Sequence, residues 1–186
     1  MRYNVAASLD GYIAGPRGEY DWIPRDPAVD FAALFARVDT VLLGRRSYAL
    51  VRGGPTPVWP AGARVYVFSR TLRPEEHPGV TVVGGDDAAP VVAALRAEPG
   101  EGEIWLFGGG ALFASLLAAG QVDAVEVAVV PVLLGGGVPL LPAGVPRTAL
   151  ALDPAPGPAG ANPRVYPSGI VSLAYRVPSA ESRPAA

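Results

Sequence analysis

Cysteine and lysine are both missing from this chain, and histidine occurs once, at His77. Without cysteine there is no disulfide, no thiol nucleophile and no iron–sulfur or Cys/His zinc site. Without lysine there is no Schiff-base chemistry, and a Walker A phosphate loop lacks its cation; all 15 basic residues are arginine. His77 lies in Glu75-Glu76-His77-Pro78-Gly79, a loop-like setting that reads as a solvated histidine and not as the base of a Ser–His–acid triad. Long apolar runs are missing too. Twenty-three Gly and 21 Pro interrupt the Ala, Val and Leu, so no run approaches the roughly 20 residues that cross a bilayer. At the start, only Val5 to Ala7 precede the polar Ser8 and Asp10, too few for the apolar region of a signal peptide. A soluble, cytoplasmic protein is the expectation. Charged residues make up only 17% and the net charge is −2, with no basic stripe for nucleic acid and no long cationic amphipathic segment for a membrane surface. The expected partners are small molecules or protein. If the chain is an enzyme, the hard chemistry falls to a bound organic cofactor.

At 186 residues and 50% hydrophobic, the chain is long enough for one substantial core. One domain over residues 1–178 is expected, followed by a disordered tail over 179–186. The stretch from Glu103 to Gly120, EIWLFGGGALFASLLAAG, organises the rest. An apolar run, Ile104 to Phe107, breaks into Gly108, Gly109 and Gly110, and then Leu112, Phe113, Leu116 and Leu117 recur at helical spacing. Such a strand, glycine turn and helix can be a tight turn, or a place where a phosphate meets the unpaired N–H groups and positive dipole end of the helix.

Two further strand exits carry the same theme. Val41-Leu42-Leu43 runs into Gly44-Arg45-Arg46-Ser47-Tyr48, where two guanidiniums sit at a helix start that the dipole would rather give to an acid; an anionic ligand resolves the conflict. Arg64 to Phe68 ends in Ser69-Arg70-Thr71, a hydroxyl beside a cation. In open α/β sheets ligands gather at the carboxyl ends of strands, so the three exits together suggest a dinucleotide lying across the sheet edge. Elsewhere, residues 2–9 read as a strand leading into a loop over 11–24 that can cover a site. Asp26-Pro27 opens a helix whose stripe of Phe31, Leu34, Phe35 and Val38 belongs in the core. Strands are expected at 80–83, 122–132, 148–152 and 168–177, with a helix over 88–97; the third glycine cluster, Gly135 to Gly137, follows the strand at 122–132.

Read together, AASLDGYIAG at 6–15, DWIP at 21–24, VDTVLLGRRSY at 38–48, YVFSRTL at 66–72, IWLFGGGALFASLL at 104–117, VVPVLLGGGVPLL at 129–141 and SGIVSLAYRV at 168–177 resemble the dihydrofolate reductase-like family. The nearest branch is the one that includes the reductase domain of bacterial riboflavin biosynthesis. The resemblance implies an α/β fold with a central mixed, mostly parallel eight-stranded sheet and helices on both faces. It implies NADPH as cofactor, in an extended pose. Gly108, Gly109, Gly110 and Ala111 would then hold the pyrophosphate, Gly44, Arg45, Arg46 and Ser47 the phosphates of the adenosine half, and Ser69 and Arg70 the 2′-phosphate. A guanidinium there selects NADPH over NADH. Ala7 and Ala14 would border the nicotinamide, under the loop 11–24.

The same resemblance implies hydride transfer to a C=N bond of a pterin or a ribityl-type pyrimidine precursor, helped by close approach and exclusion of water. Asp10 is the first candidate for orienting substrate or relaying a proton, Trp22 borders the site, and Asp21, Asp26 or Asp30 are the alternatives for the carboxylate role. Riboflavin-type domains usually carry Lys where this chain has Asn4, and Thr or Ser where it has Pro24, so a phosphoribosyl substrate is less well served. A nucleotide-binding module without catalysis, or a reductase of another small molecule, is the competing reading. The apolar stretch 127–141 and the family habit lean toward a homodimer. No metal site is expected.

Overall fold

The computed structural model describes residues 1–52, 54, 58–85, 88–100, 102–154 and 161–178; the tail expected over 179–186 lies outside the described residues. In chain order, β1 (Arg2–Ser8) is followed by the short β2 (Tyr12–Ala14), α1 (Phe31–Phe35), β3 (Val38–Gly44), α2 (Arg45–Val51) and β4 (Arg64–Phe68). Then come β5 (Thr81–Val83), α3 (Ala89–Ala97), β6 (Glu103–Gly108), α4 (Gly110–Ala118), β7 (Ala124–Val130), β8 (Val138–Pro139), β9 (Ala151–Leu152), β10 (Arg164–Val165) and β11 (Val171–Arg176).

The main sheet runs β10-β11-β7-β1-β6-β3-β4-β5, with β9 paired to β11 off this path. From β7 to β5 all neighbours are parallel, and β11 turns the sheet mixed by pairing antiparallel with β7. This is the mixed, mostly parallel α/β sheet that the resemblance implies. Parallel strands covered on both faces are apolar throughout, and Val41, Leu42 and Leu43 of β3 are all fully buried. One core forms under α3 and α4, where Tyr3, Leu42 and Leu106 meet Val92, Leu95, Phe113 and Leu116. The other forms under α1 and α2, where Val41, Leu43, Val67 and Trp105 meet Tyr48, with Leu34 and Phe35 packed against them.

The helix expected from Asp26-Pro27 is shorter than its pattern. The Asp26 carboxylate accepts from the Ala28 N–H at 2.8 Å and from the Ser168 N–H at 2.9 Å, holding the chain in a turn. The helix begins only after Asp30, whose side chain caps the Ala33 N–H. Its stripe is not wholly core, because Phe31 is 57% exposed. The loop over 11–24 contains β2, which pairs with β8 in a separate two-stranded ladder. The expected strands over 80–83, 122–132, 148–152 and 168–177 shrink to 81–83, 124–130, 151–152 and 171–176. At the last of these a turn closed by the Tyr166 N–H bond to the Ile170 carbonyl, with Gly169 at φ 85°, occupies the first residues. His77 is corrected most. It is 5% exposed, its ring packed edge-on against Tyr48 and its Nδ1 3.1 Å from an Arg52 nitrogen.

Candidate functional site

Four strand exits lie side by side in the order β1, β6, β3, β4. At a strand spacing of about 4.8 Å they span roughly 14 Å. Gly44 ends β3 opposite Phe68 of β4, so Ser69 begins the next exit one strand away. Gly44 and the glycines after β6 are in close approach: a Cβ on Gly44 would stand 3.6 Å from the Gly109 nitrogen and 3.7 Å from the Gly108 oxygen. A Cβ on Gly109 would meet the Ser47 hydroxyl oxygen at 3.4 Å and the Ile13 side chain at 3.9 Å. The peptide between Gly108 and Gly109 is cis, and Gly108 has φ 135°. Gly110 opens α4 directly beneath the 139–140 backbone, where a Cβ would fall 2.6 Å from the Pro139 oxygen.

Neither α2 nor α4 has a side-chain cap; Gly44 and Gly109 occupy the capping positions. Their first N–H groups therefore have no side-chain capping acceptor. Arg45 and Arg46 are exposed and make no hydrogen bond or ion pair among the described residues. Ser69 is buried, and its hydroxyl oxygen accepts from the Thr71 and Leu72 N–H groups at 3.2 and 3.1 Å, so it shapes the turn that presents Arg70. Uncapped helix starts beside unneutralised guanidiniums suit a ligand bearing several phosphates. Ala111 is exposed on the first turn of α4. Ala7 is buried in β1 opposite Val129, and Ala14 is buried in β2 opposite Val138.

The acids differ in what they hold. Asp10 accepts from the Ser8 hydroxyl at 2.6 Å, from the Leu134 N–H at 3.1 Å and from the Gly135 N–H at 2.7 Å. The Ser8 bond above all, then the two amides, keeps its carboxyl below the usual aspartate range. The third glycine cluster is thus the receptor for Asp10. Asp26 is held low as well, by the Ser168 hydroxyl and N–H and by the Ala28 N–H, and it ties the loop after β2 to the turn before β11. Asp30 is exposed and uses one oxygen as the cap of α1, while Asp21 is exposed in the loop. Trp22 is half-buried and donates its indole N–H to the Glu19 carbonyl at 3.1 Å, stiffening that loop.

Sequence reasoning passed over Tyr3, whose ring stacks on Phe113 at 4.0 Å and lies 3.9 Å from where a Gly108 Cβ would stand. Its hydroxyl is fully buried without a hydrogen-bond partner among the described residues, and burial pushes its pKa up. Ile13 was passed over as well; an isoleucine in a strand of three residues carries no local signal of its place against Gly109.

Fold and site together define an α/β protein of the dihydrofolate reductase-like class. The chain belongs to the RibD C-terminal domain family, whose model matches residues 1–155. It is 31% identical over 183 residues to the uncharacterised protein YyaP of Bacillus subtilis, covering 92% of each chain. Among solved structures, it superposes with a TM-score of 0.77 on a putative riboflavin biosynthesis protein from Shewanella sp. PV-4, at 29% identity over 96% of this chain and 98% of that one. The fold extends to a dihydrofolate reductase from Enterococcus faecalis, complexed with NADP(H), at a TM-score of 0.59 and 16% identity over 94% and 92% of the two chains. Among the described residues no helix is long and apolar enough to cross a membrane, and no group of His, Asp and Glu side chains is placed to hold a metal ion.

Proposed function

We propose that this protein is an NADPH-dependent reductase that reduces a C=N bond of a small molecule of the pterin or ribosylaminouracil kind. Membership of a family named for a riboflavin-pathway reductase domain supports the reaction class. The observation that carries the reading is the junction at which Gly44, Ser47, Gly108 and Gly109 meet, between two uncapped helix starts. The backbone N–H groups of Gly110 and Ala111 would hold the pyrophosphate. Arg45, Arg46 and Ser47 would hold the adenosine-side phosphates, and Arg70, presented by the Ser69 turn, the 2′-phosphate. Ala7 and Ala14 leave room for a flat ring beside the exit of β1.

When bound, the nicotinamide supplies the hydride. The protein's own part is to hold the acceptor close, to exclude water with the loop carrying Trp22, and to place a proton. Asp10 and Asp26, each held as a carboxylate by several donors, serve as struts of the site. Asp30, with one oxygen engaged by the Ala33 N–H, is the acid we assign to relaying a proton to the substrate nitrogen.

Titration with NADPH and NADH, following ligand fluorescence, tests this. NADPH should bind more tightly, Arg70→Ala should narrow the ratio, and Arg45→Ala and Arg46→Ala should each weaken both nucleotides alike; loss of one charge-assisted contact is worth about tenfold. No binding of either nucleotide below the millimolar range sinks the proposal. Binding without oxidation of NADPH by dihydrofolate or by the aminouracil intermediate favours a nucleotide-binding module without catalysis.

A further inference from the structure

The chain's one histidine is buried in a stretch that is otherwise surface: Arg73, Glu75, Glu76, Pro78 and Gly79 around His77 are all exposed. An apolar side chain would cover the core there at less cost, because a buried imidazole must replace the hydrogen bonds it made with water. What the ring holds accounts for its presence.

His77 follows a single 3-10 turn, Pro74–Glu76, on the segment that joins β4 to β5. The His77 N–H donates to the Pro74 carbonyl at 3.1 Å, and the Val80 N–H donates to the His77 carbonyl at 3.4 Å. Its ring meets the far end of α2. Arg52, whose backbone N–H closes that helix on the Tyr48 carbonyl, brings a guanidinium nitrogen to 3.1 Å from Nδ1, and the Tyr48 hydroxyl stands 3.4 Å from the same atom. A guanidinium only donates, so Nδ1 is the acceptor and the ring is neutral, with its proton on Nε2. Among the described residues no carboxylate bonds to the ring. The packing around Tyr48 is apolar, with Trp59, Leu72 and Val80 against Val65 and Val67.

Apolar contacts keep a segment near a helix without fixing its register; a directional hydrogen bond in a dry setting fixes it. The two pieces joined in this way both carry cations. Arg45 and Arg46 open α2, and the joining segment begins with the Ser69 turn that presents Arg70. A ligand touching both pieces senses the setting between them, and a ligand touching α2 alone does not.

We propose that His77 is a positioning residue for coenzyme choice: by accepting from Arg52 it sets the segment after β4, and Arg70 with it, against α2. This rests on the reductase reading, in which Arg70 takes the 2′-phosphate, and adds a residue that touches no part of the nucleotide. The acceptor at Nδ1 is the working group, and Arg70 is the residue through which it acts.

Fluorescence titrations with NADPH and NADH at pH 8, where imidazole is neutral, test this. His77→Leu should narrow the preference for NADPH about three- to tenfold and leave NADH binding unchanged. His77→Asn should restore the preference, since its Oδ1 can stand in for Nδ1 as acceptor. Arg52→Met removes the same bond from the exposed end of α2, so it reads the effect even where His77→Leu fails to fold. In an Arg70→Ala background, His77→Leu and Arg52→Met should change the ratio no further, as expected of residues acting through Arg70. An unchanged ratio in both variants, no rescue by asparagine, or a loss that persists without Arg70 each overturns the inference and leaves the reductase reading standing. A parent protein that does not prefer NADPH overturns the reading of Arg70, and the inference with it.

Discussion

Asp10 reaches from the end of β1 to the glycines after β7, and a carboxylate is what its three donors require. Because these bonds depress its pKa, the charged form adds stability above the ordinary aspartate value of about 3.9, and that contribution is lost as pH falls through the lower folded value. Asp10→Asn should therefore lower the melting temperature at pH 7, with the gap to the parent protein closing below about pH 4. Melts recorded across that range check it; a gap independent of pH would mean that the carboxylate's charge does not hold the loop. The role could not be read from sequence, since Leu134 and Gly135 lie 124 and 125 residues away. Asp26 is hidden in the same way, its partner Ser168 being 142 residues distant. His77 sits among Glu, Pro and Gly that signal solvent, and only the fold brings it to Tyr48 and Arg52.

At the scale of elements, the apolar runs that end in glycine were legible, because each strand is buried on both faces and its exit must turn sharply. The shortest pieces were not. β2 and β8 have three and two residues, too few for any period to show, yet their ladder forms the roof over the start of α4. Gly110 is where roof and helix touch. Gly110→Ala would force a methyl to within 2.6 Å of the Pro139 oxygen and 2.8 Å of the Leu140 oxygen. Such overpacking costs about 1–3 kcal/mol, and here it also shifts the N–H groups proposed to hold the pyrophosphate. Urea denaturation should show the loss and NADPH titration a weaker complex. Gly136→Ala is the control, with nothing within 4 Å of the added carbon. Equal stability of the two variants would show that β8 yields freely.

For the molecule as a whole, β1 is the hub. It pairs with β7 along its full length and with β6 at its start, while β9 and β10, two residues each, close the far edge through β11 alone. Hydrogen exchange should rank accordingly: the amides of β1 that bond into these ladders exchange last, near the global unfolding limit, and those of β9 and β10 exchange early by local opening. Comparable rates at hub and edge would mean that the sheet opens as one unit.

The same arrangement bears on how the chain is made. Arg2 is synthesised about a hundred residues before its neighbours in the sheet, Trp105 and Ala124. At about 5–20 residues per second, the strand waits roughly 5–20 s outside the ribosome before β6 is complete. During that interval β3, β4 and β5 can align with one another, while Tyr3, Val5 and Ala7 have no partner on either side. Of the strands of the main sheet, the central one of the finished protein is thus the one that waits longest for a neighbour in the nascent chain.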